Sequence, residues 1–200
     1  MKLTADLDEV VKALNDNQVV AFPTETSYGF LGNATKQVVI QKILDIKGRS
    51  FDNPLSVLVR DEEQAQKLVD FDSRTQGLFD HFLPGPLTII ARTQKEIRGV
   101  SKNGTLALRI SSKPEIDSIF KEIDFPLTAT SANLSGKKDL YSHDEVVRTY
   151  KTRAFKPDLV YQGGEVEERK PSTIVDVSQQ KMKLVRQGEI DFTEIQRIDR

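Results

Sequence analysis

Stretches with the 3.6-residue apolar period of helices alternate along this chain with short β-branched runs, and neither kind dominates. Such alternation leaves few architectures open, because strands must pair into a sheet while each amphipathic helix buries its apolar stripe against a sheet face. Leu7, Val10, Val11 and Leu14 keep helical spacing across 4–17, where Thr4 is available as an N-cap. The β-branched run 18–22 follows and is stopped by Pro23, which predicts a loop rich in hydroxyls and glycine over 24–33. A loop after such a strand stands where α/β folds usually bind ligands. Val39, Ile40, Ile43 and Leu44 predict a helix over 36–47 ended by Gly48, and 55–59 reads as the next strand.

Helices over 62–70 and 75–82 lead to the rigid break Leu83-Pro84-Gly85-Pro86, and strands are predicted over 87–92 and 105–110. A short helix near 114–122 and a strand over 127–130 run into the polar loop 131–138. Ser142-His143-Asp144-Glu145 has the spacing of a capping box. Strands near 158–161, 173–177 and 182–186 precede a short amphipathic helix. No repeat, low-complexity linker or boundary interrupts the series. The expectation is one α/β domain over 1–200, with a twisted sheet of mixed parallel and antiparallel strands flanked by helices.

Composition restricts the chemistry. The 29 Lys and Arg nearly cancel the 30 Asp and Glu, so bulk charge points to neither a nucleic acid nor a membrane, and an anion site must come from local clustering. There is no cysteine, which excludes disulfides, thiolate catalysis and Cys-ligated zinc. The opening MKLTADLDEV has no signal-peptide core, and no apolar run nears the ~20 residues of a membrane span, so a soluble cytoplasmic protein is expected. Neither GxxxxGK[ST] nor a GxGxxG after a strand is present. The only histidines, His81 and His143, fall on predicted helices as packing or capping residues, which argues against a Ser/His/Asp hydrolase and against a metal site.

Lys47-Gly48-Arg49 places two cations about a glycine where a helix gives way to a loop. Lysine supplies a compact charge and arginine a bidentate fork, so the pair suits phosphate, and both are expected on a ligand-facing loop. A solvated pair complementing the helix dipole has the same sequence. Arg109 and Arg186 each close an apolar strand, where an arginine needs either a ligand anion or an internal carboxylate such as Asp176. With Lys47 and Arg49 they make four positive charges for one cleft. Ser131-Ala132-Asn133-Leu134-Ser135-Gly136 displays hydroxyl and amide groups after a strand, as an ordinary turn also would.

Taken together, PTETSYG, Lys47-Gly48-Arg49 with Asp52-Asn53-Pro54-Leu55, Pro84-Gly85-Pro86-Leu87-Thr88, Arg109, Ser131 to Gly136, Pro171 to Asp176, and Arg186-Gln187-Gly188 resemble the YrdC/Sua5 (TsaC) family of threonylcarbamoyl-AMP synthases. The segments run in family order across nearly the whole chain. The resemblance implies a YrdC-like fold and the substrates ATP, L-threonine and bicarbonate, with Mg2+ accompanying ATP. It implies catalytic roles for Lys47 and Arg49, in one signature with Ser131 and Asn133. Thr26, Arg109 and Ser172 would hold threonine, and Arg49, Asn53, Thr105, Ser131, Asn133 and Arg186 would line the ATP side. The adenylate product would pass to downstream tRNA threonylcarbamoyl-transfer proteins that make N6-threonylcarbamoyladenosine.

The resemblance also marks departures. Ser27 stands where relatives often have Val, Phe30-Leu31-Gly32 replaces Leu-Gly-Ala, Ser50 replaces a frequent proline, and Leu58 stands where some relatives carry a threonine-contacting histidine. The chain resembles the short form, without the extra C-terminal domain of longer relatives. Two readings compete with it: a module that binds double-stranded RNA or tRNA without turnover, and the carbamoyl-adenylate chemistry of much longer hydrogenase-maturation proteins.

Overall fold

The computed structural model describes residues 1–93 and 95–198. In chain order the elements are β1 (Lys2–Thr4), α1 (Leu7–Asn15), β2 (Val20–Pro23), β3 (Tyr28–Leu31), α2 (Gln37–Lys47), β4 (Ser56–Leu58), α3 (Glu62–Gln66), α4 (Ser73–Phe82) and β5 (Leu87–Arg92). They continue with β6 (Ser101–Lys102), β7 (Thr105–Arg109), α5 (Pro114–Lys121), β8 (Leu127–Ser131), α6 (His143–Tyr150), β9 (Leu159–Tyr161), β10 (Thr173–Asp176), β11 (Lys183–Arg186) and α7 (Phe192–Ile195). The strands join in the order β1-β9-β2-β3-β8-β4-β7-β5-β10-β11, with β6 paired to β7 beside that path. β1–β9, β2–β9, β4–β7 and β5–β10 are parallel. The pairs β2–β3, β3–β8, β4–β8, β5–β7 and β10–β11 are antiparallel. The expected mixed α/β sheet is therefore the observed one.

Side-chain alternation sorts the core into two layers. Val20 and Phe22 of β2, Leu31 of β3 and Leu58 of β4 pack with Val10 and Leu14 of α1 and Ile116, Ile119 and Phe120 of α5. Ala21, Tyr28, Phe30 and Val57 point the other way, into the cluster of Ile40, Ile43 and Leu44 from α2 and Val146 and Tyr150 from α6. Burial on both faces explains why β2 and β3 are continuously apolar.

Two local expectations change. Thr4 belongs to β1, and the cap of α1 is Asp6, whose Oδ1 accepts from the Asp8 N–H at 2.9 Å. Thr4 Oγ1 instead accepts from the Asp6 N–H at 3.0 Å, one step before the helix. The predicted loop 24–33 contains β3, so the irregular part is only the short hairpin connection. Thr24 Oγ1 donates to the Ser27 carbonyl at 2.8 Å and accepts from the Thr26 and Ser27 N–H groups, which closes that turn. Strand identity at Tyr28–Leu31 comes from its neighbours β2 and β8, which no local propensity reports.

Other boundaries match the local chemistry. Gly48 (φ 62°) ends α2 in the left-handed region, with the Arg49 N–H donating to the Leu44 carbonyl at 2.9 Å. Ser142 caps α6 by accepting from the Glu145 N–H at 3.2 Å, while the Glu145 carboxylate accepts from the Tyr141 N–H at 2.6 Å, one residue ahead of the usual box. Among the described residues no helix is long and apolar enough to cross a membrane.

Candidate functional site

A cavity of about 430 Å3 opens over the middle of the sheet. Its floor is made of alternate residues from three adjacent strands: Gly29 and Leu31 of β3, Ala129 and Ser131 of β8, and Ser56 and Leu58 of β4. Registers Gly29↔Ser131 and Ser56↔Ala129 put these side chains on one face. The site thus spreads over the sheet face as well as along the strand ends where ligands were expected.

Loops and strand termini wall the floor. Thr26 enters from the β2–β3 connection, Lys47 and Arg49 from the end of α2, Asn53 from the loop before β4, and Arg109 from the end of β7. Asn133 follows β8, Ser172 precedes β10 and Arg186 ends β11, and all of them line the same cavity. Of the residues given catalytic or substrate-binding roles by the resemblance, Thr105 alone stands outside this lining. It begins β7, at the opposite end of the strand from Arg109, and its hydroxyl donates to the Lys102 carbonyl at 2.8 Å.

Lys47 is the last residue of α2, as the helix predicted over 36–47 has it, and not on the ligand-facing loop expected for the pair; it is only 3% exposed. Its Nζ donates to the Asn133 carbonyl at 2.9 Å, to Asn133 Oδ1 at 3.0 Å and to the Ser131 carbonyl. The Lys47 carbonyl in turn accepts from the Ser135 N–H at 3.0 Å. All three ammonium donors therefore hold the loop after β8 in place. Burial first, and then the positive charge of Arg49, push Lys47 down to about 8, with Asp139 pulling the other way.

The arginines differ. Arg109, 7% exposed, pairs through Nη1 with Glu25 Oε1 at 2.8 Å, and the second Glu25 oxygen accepts from Ser111 Oγ at 2.5 Å. The internal carboxylate anticipated for Arg109 is thus Glu25, not Asp176, whose Oδ1 accepts from the Ser178 N–H at 2.8 Å. Among the described residues Arg186 has no carboxylate partner. Its Nη2 donates to Ser172 Oγ at 3.0 Å and to the Ser172 carbonyl at 2.8 Å, and burial lowers its pKa although the residue as a whole is exposed. Ser172 Oγ also shares a hydrogen bond of 2.9 Å with Thr88 Oγ1. Arg49 lines the cavity with its pKa lowered by burial, and no carboxylate pairs with it among the described residues.

Asp139 is the participant that sequence reasoning left out, while Glu25 and Thr88 were noted only within their segments and given no role. Glu25 sat in view within PTETSYG, but only the fold brings it to Arg109. Asp139 is the sole carboxylate among the described lining residues, against four cations. No three His, Asp or Glu residues are grouped to hold a metal among the described residues. His81 Nδ1 lies 2.8 Å from the Gly77 carbonyl within α4, and His143 occupies the first turn of α6. Chemically, the cavity is an anion site with hydroxyl and amide groups for orientation and an apolar patch at Leu31, Leu58 and Ala129.

Comparison with known proteins agrees with this description. The Sua5/yciO/yrdC family model, described as telomere recombination, matches residues 12–188. A threonylcarbamoyl-AMP synthase of Vibrio vulnificus is 34% identical over 195 residues, covering 93% of this chain and all of that protein. The crystal structure of Pyrococcus abyssi Sua5 complexed with L-threonine superposes with a TM-score of 0.88 at 28% identity, covering 96% of this chain but 56% of Sua5. The chain therefore spans about half the length of that relative. Escherichia coli YciO shares the fold, with a TM-score of 0.84 at 19% identity over 97% of both chains.

Proposed function

Because the chain belongs to the Sua5/yciO/yrdC family, we propose that it is a threonylcarbamoyl-AMP synthase, forming threonylcarbamoyl-adenylate and pyrophosphate from L-threonine, bicarbonate and ATP. The observation that carries this reading is the convergence of Lys47, Arg49, Arg109 and Arg186 on one cavity that also presents Thr26, Ser131, Asn133 and Ser172. All three substrates bear anionic groups, and preorganised cations in a partly desolvated site hold them without reorganising during reaction.

In this reading, the threonine nitrogen bonds to the carbon of bicarbonate and water is lost, giving N-carboxythreonine. An oxygen of the new carboxylate then attacks the α-phosphorus of ATP. The bond from that phosphorus to the bridging oxygen breaks, and pyrophosphate leaves with the electron pair. Arg109, held from behind by Glu25, keeps donors free for the α-carboxylate, and Thr26 and Ser172 offer hydroxyls beside it. Arg49 and Arg186 face the phosphates, where charge builds on the leaving group. Lys47 shapes the Ser131–Asn133 loop and adds its field. No side-chain nucleophile is needed, because the new carboxylate supplies one.

Mg2+ fits this donor set only as a companion of ATP: one cavity carboxylate, Asp139, is what a phosphate-borne Mg2+ takes from a protein, and there is no all-protein cage among the described residues. When bound, it would neutralise phosphate charge. The product would then pass to proteins that transfer the threonylcarbamoyl group to tRNA. The test is pyrophosphate release from purified protein with each substrate omitted in turn. Release is expected only when ATP, threonine and bicarbonate are all present; release indifferent to threonine, or none from folded protein, overturns the proposal.

A further inference from the structure

Asp139 is the acidic exception in a cationic cavity. It lies in the loop after β8, half-buried, and its charge acts on both Lys47 and Arg186. Yet among the described residues no hydrogen bond or ion pair ties its carboxylate to either of them, whereas Glu25 is bonded on both oxygens. The loop around it is pinned. Asn133 Nδ2 donates to the Lys137 carbonyl at 2.5 Å, and the Tyr28 N–H donates to the Leu140 carbonyl at 2.8 Å. Asp139 is thus presented to the cavity from between two anchored residues.

A carboxylate without an ion-pair partner among the described residues, whose charge acts on Lys47 and Arg186, opposes the binding of a bare polyphosphate. The opposition reverses sign when a divalent cation comes with the polyphosphate, because Mg2+ is commonly held by one or two carboxylates together with phosphate oxygens and water. Among the described residues no three acidic or histidine side chains are grouped to hold a metal ahead of the nucleotide. We propose that Asp139 is the protein's contribution to a divalent-cation subsite that is completed only by a nucleotide polyphosphate in the cavity. This rests on the reading of the cavity as an ATP site.

The experiment is calorimetric ATP binding to the intact chain without threonine or bicarbonate, once with MgCl2 and once with excess EDTA, for wild type, Asp139→Asn and Asp139→Ala. The isosteric Asn variant should bind ATP with Mg2+ about fivefold more weakly than wild type, and metal-free ATP about threefold more tightly, the scale of a half-exposed charge interaction. The Ala variant should move the same way. Changes of one sign in both conditions, or no change, overturn the assignment while leaving the ATP site standing. If wild type binds neither form, the ATP reading fails and this subsite fails with it.

Discussion

Arg109 and Arg49 carry the same charge into the same cavity on opposite terms. Arg109 arrives already neutralised, 2.8 Å from Glu25 in a buried pair that also engages Ser111. Arg49 arrives without a carboxylate among the described residues, just past the Gly48 stop of α2. A preassembled pair fixes the direction of the remaining donors, which suits a small carboxylate whose orientation matters. An unmatched cation stores an electrostatic demand that only a ligand answers, which suits a polyphosphate. One half of the cavity is thus built for geometry and the other for charge.

Substitution should separate the two halves most strongly. Arg109→Ala leaves the largely buried Glu25 without its cation, so it should cost about 3 kcal/mol of stability, read by denaturant unfolding, as well as threonine-dependent activity. Arg49→Ala should leave the unfolding midpoint unchanged while pyrophosphate release falls at least ~100-fold, the scale of removing one preorganised charge donor. Equal destabilisation by both variants would erase the distinction.

Gly188 offers the next test. A Cβ there would lie 2.1 Å from the Pro171 carbonyl oxygen and 2.5 Å from the Ser172 carbonyl carbon, backbone that cannot rotate away. Gly188→Ala should therefore cost about 1–3 kcal/mol and shift Ser172 and Arg186 together, raising KM for threonine and for ATP alike. An effect on one substrate alone would show that the Arg186–Ser172 contact does not join the halves.

A smaller effect is expected from pH. With Lys47 pushed down to about 8 by burial, the wild-type cavity loses one positive charge as pH rises through that value. ATP affinity measured without threonine should weaken several-fold between pH 7 and 9, in keeping with a partly screened charge pair, and Lys47→Met should bind weakly with a flat profile. Smallest of all, Ser142→Ala removes the cap of α6, which is not a cavity-lining residue, and should cost ~1 kcal/mol with catalysis intact.

Much of the scaffold was legible because its signals are local. The period of α2, the stop at Gly48, the strand 87–92 and the Ser142 cap follow from neighbours within a few residues. β1 and β3 were not legible, since Lys2–Thr4 and Tyr28–Leu31 become strands through pairing with β9, β2 and β8. For the site, Thr26, Lys47, Arg49, Asn53, Arg109, Ser131, Asn133, Ser172 and Arg186 were all named from sequence and share one cavity. Thr105 was named with them and lies apart from it. Lys47 was misplaced, because a helix-terminal lysine beside glycine reads as solvated until the loop after β8 is seen folded over it.

By itself, then, the sequence determined the family, the α/β class and the inventory of anion-seeking side chains, because these reside in residue types and short-range spacing. Tertiary structure decided which charges are satisfied. Glu25 reaches Arg109 across 84 residues of chain and Lys47 reaches Asn133 across 86, while Asp139 acts on Lys47 and Arg186 without a close ion pair to either among the described residues. Pairing and desolvation depend on where strands from distant parts of the chain bring these groups, and the periodicity of each segment carries no record of that.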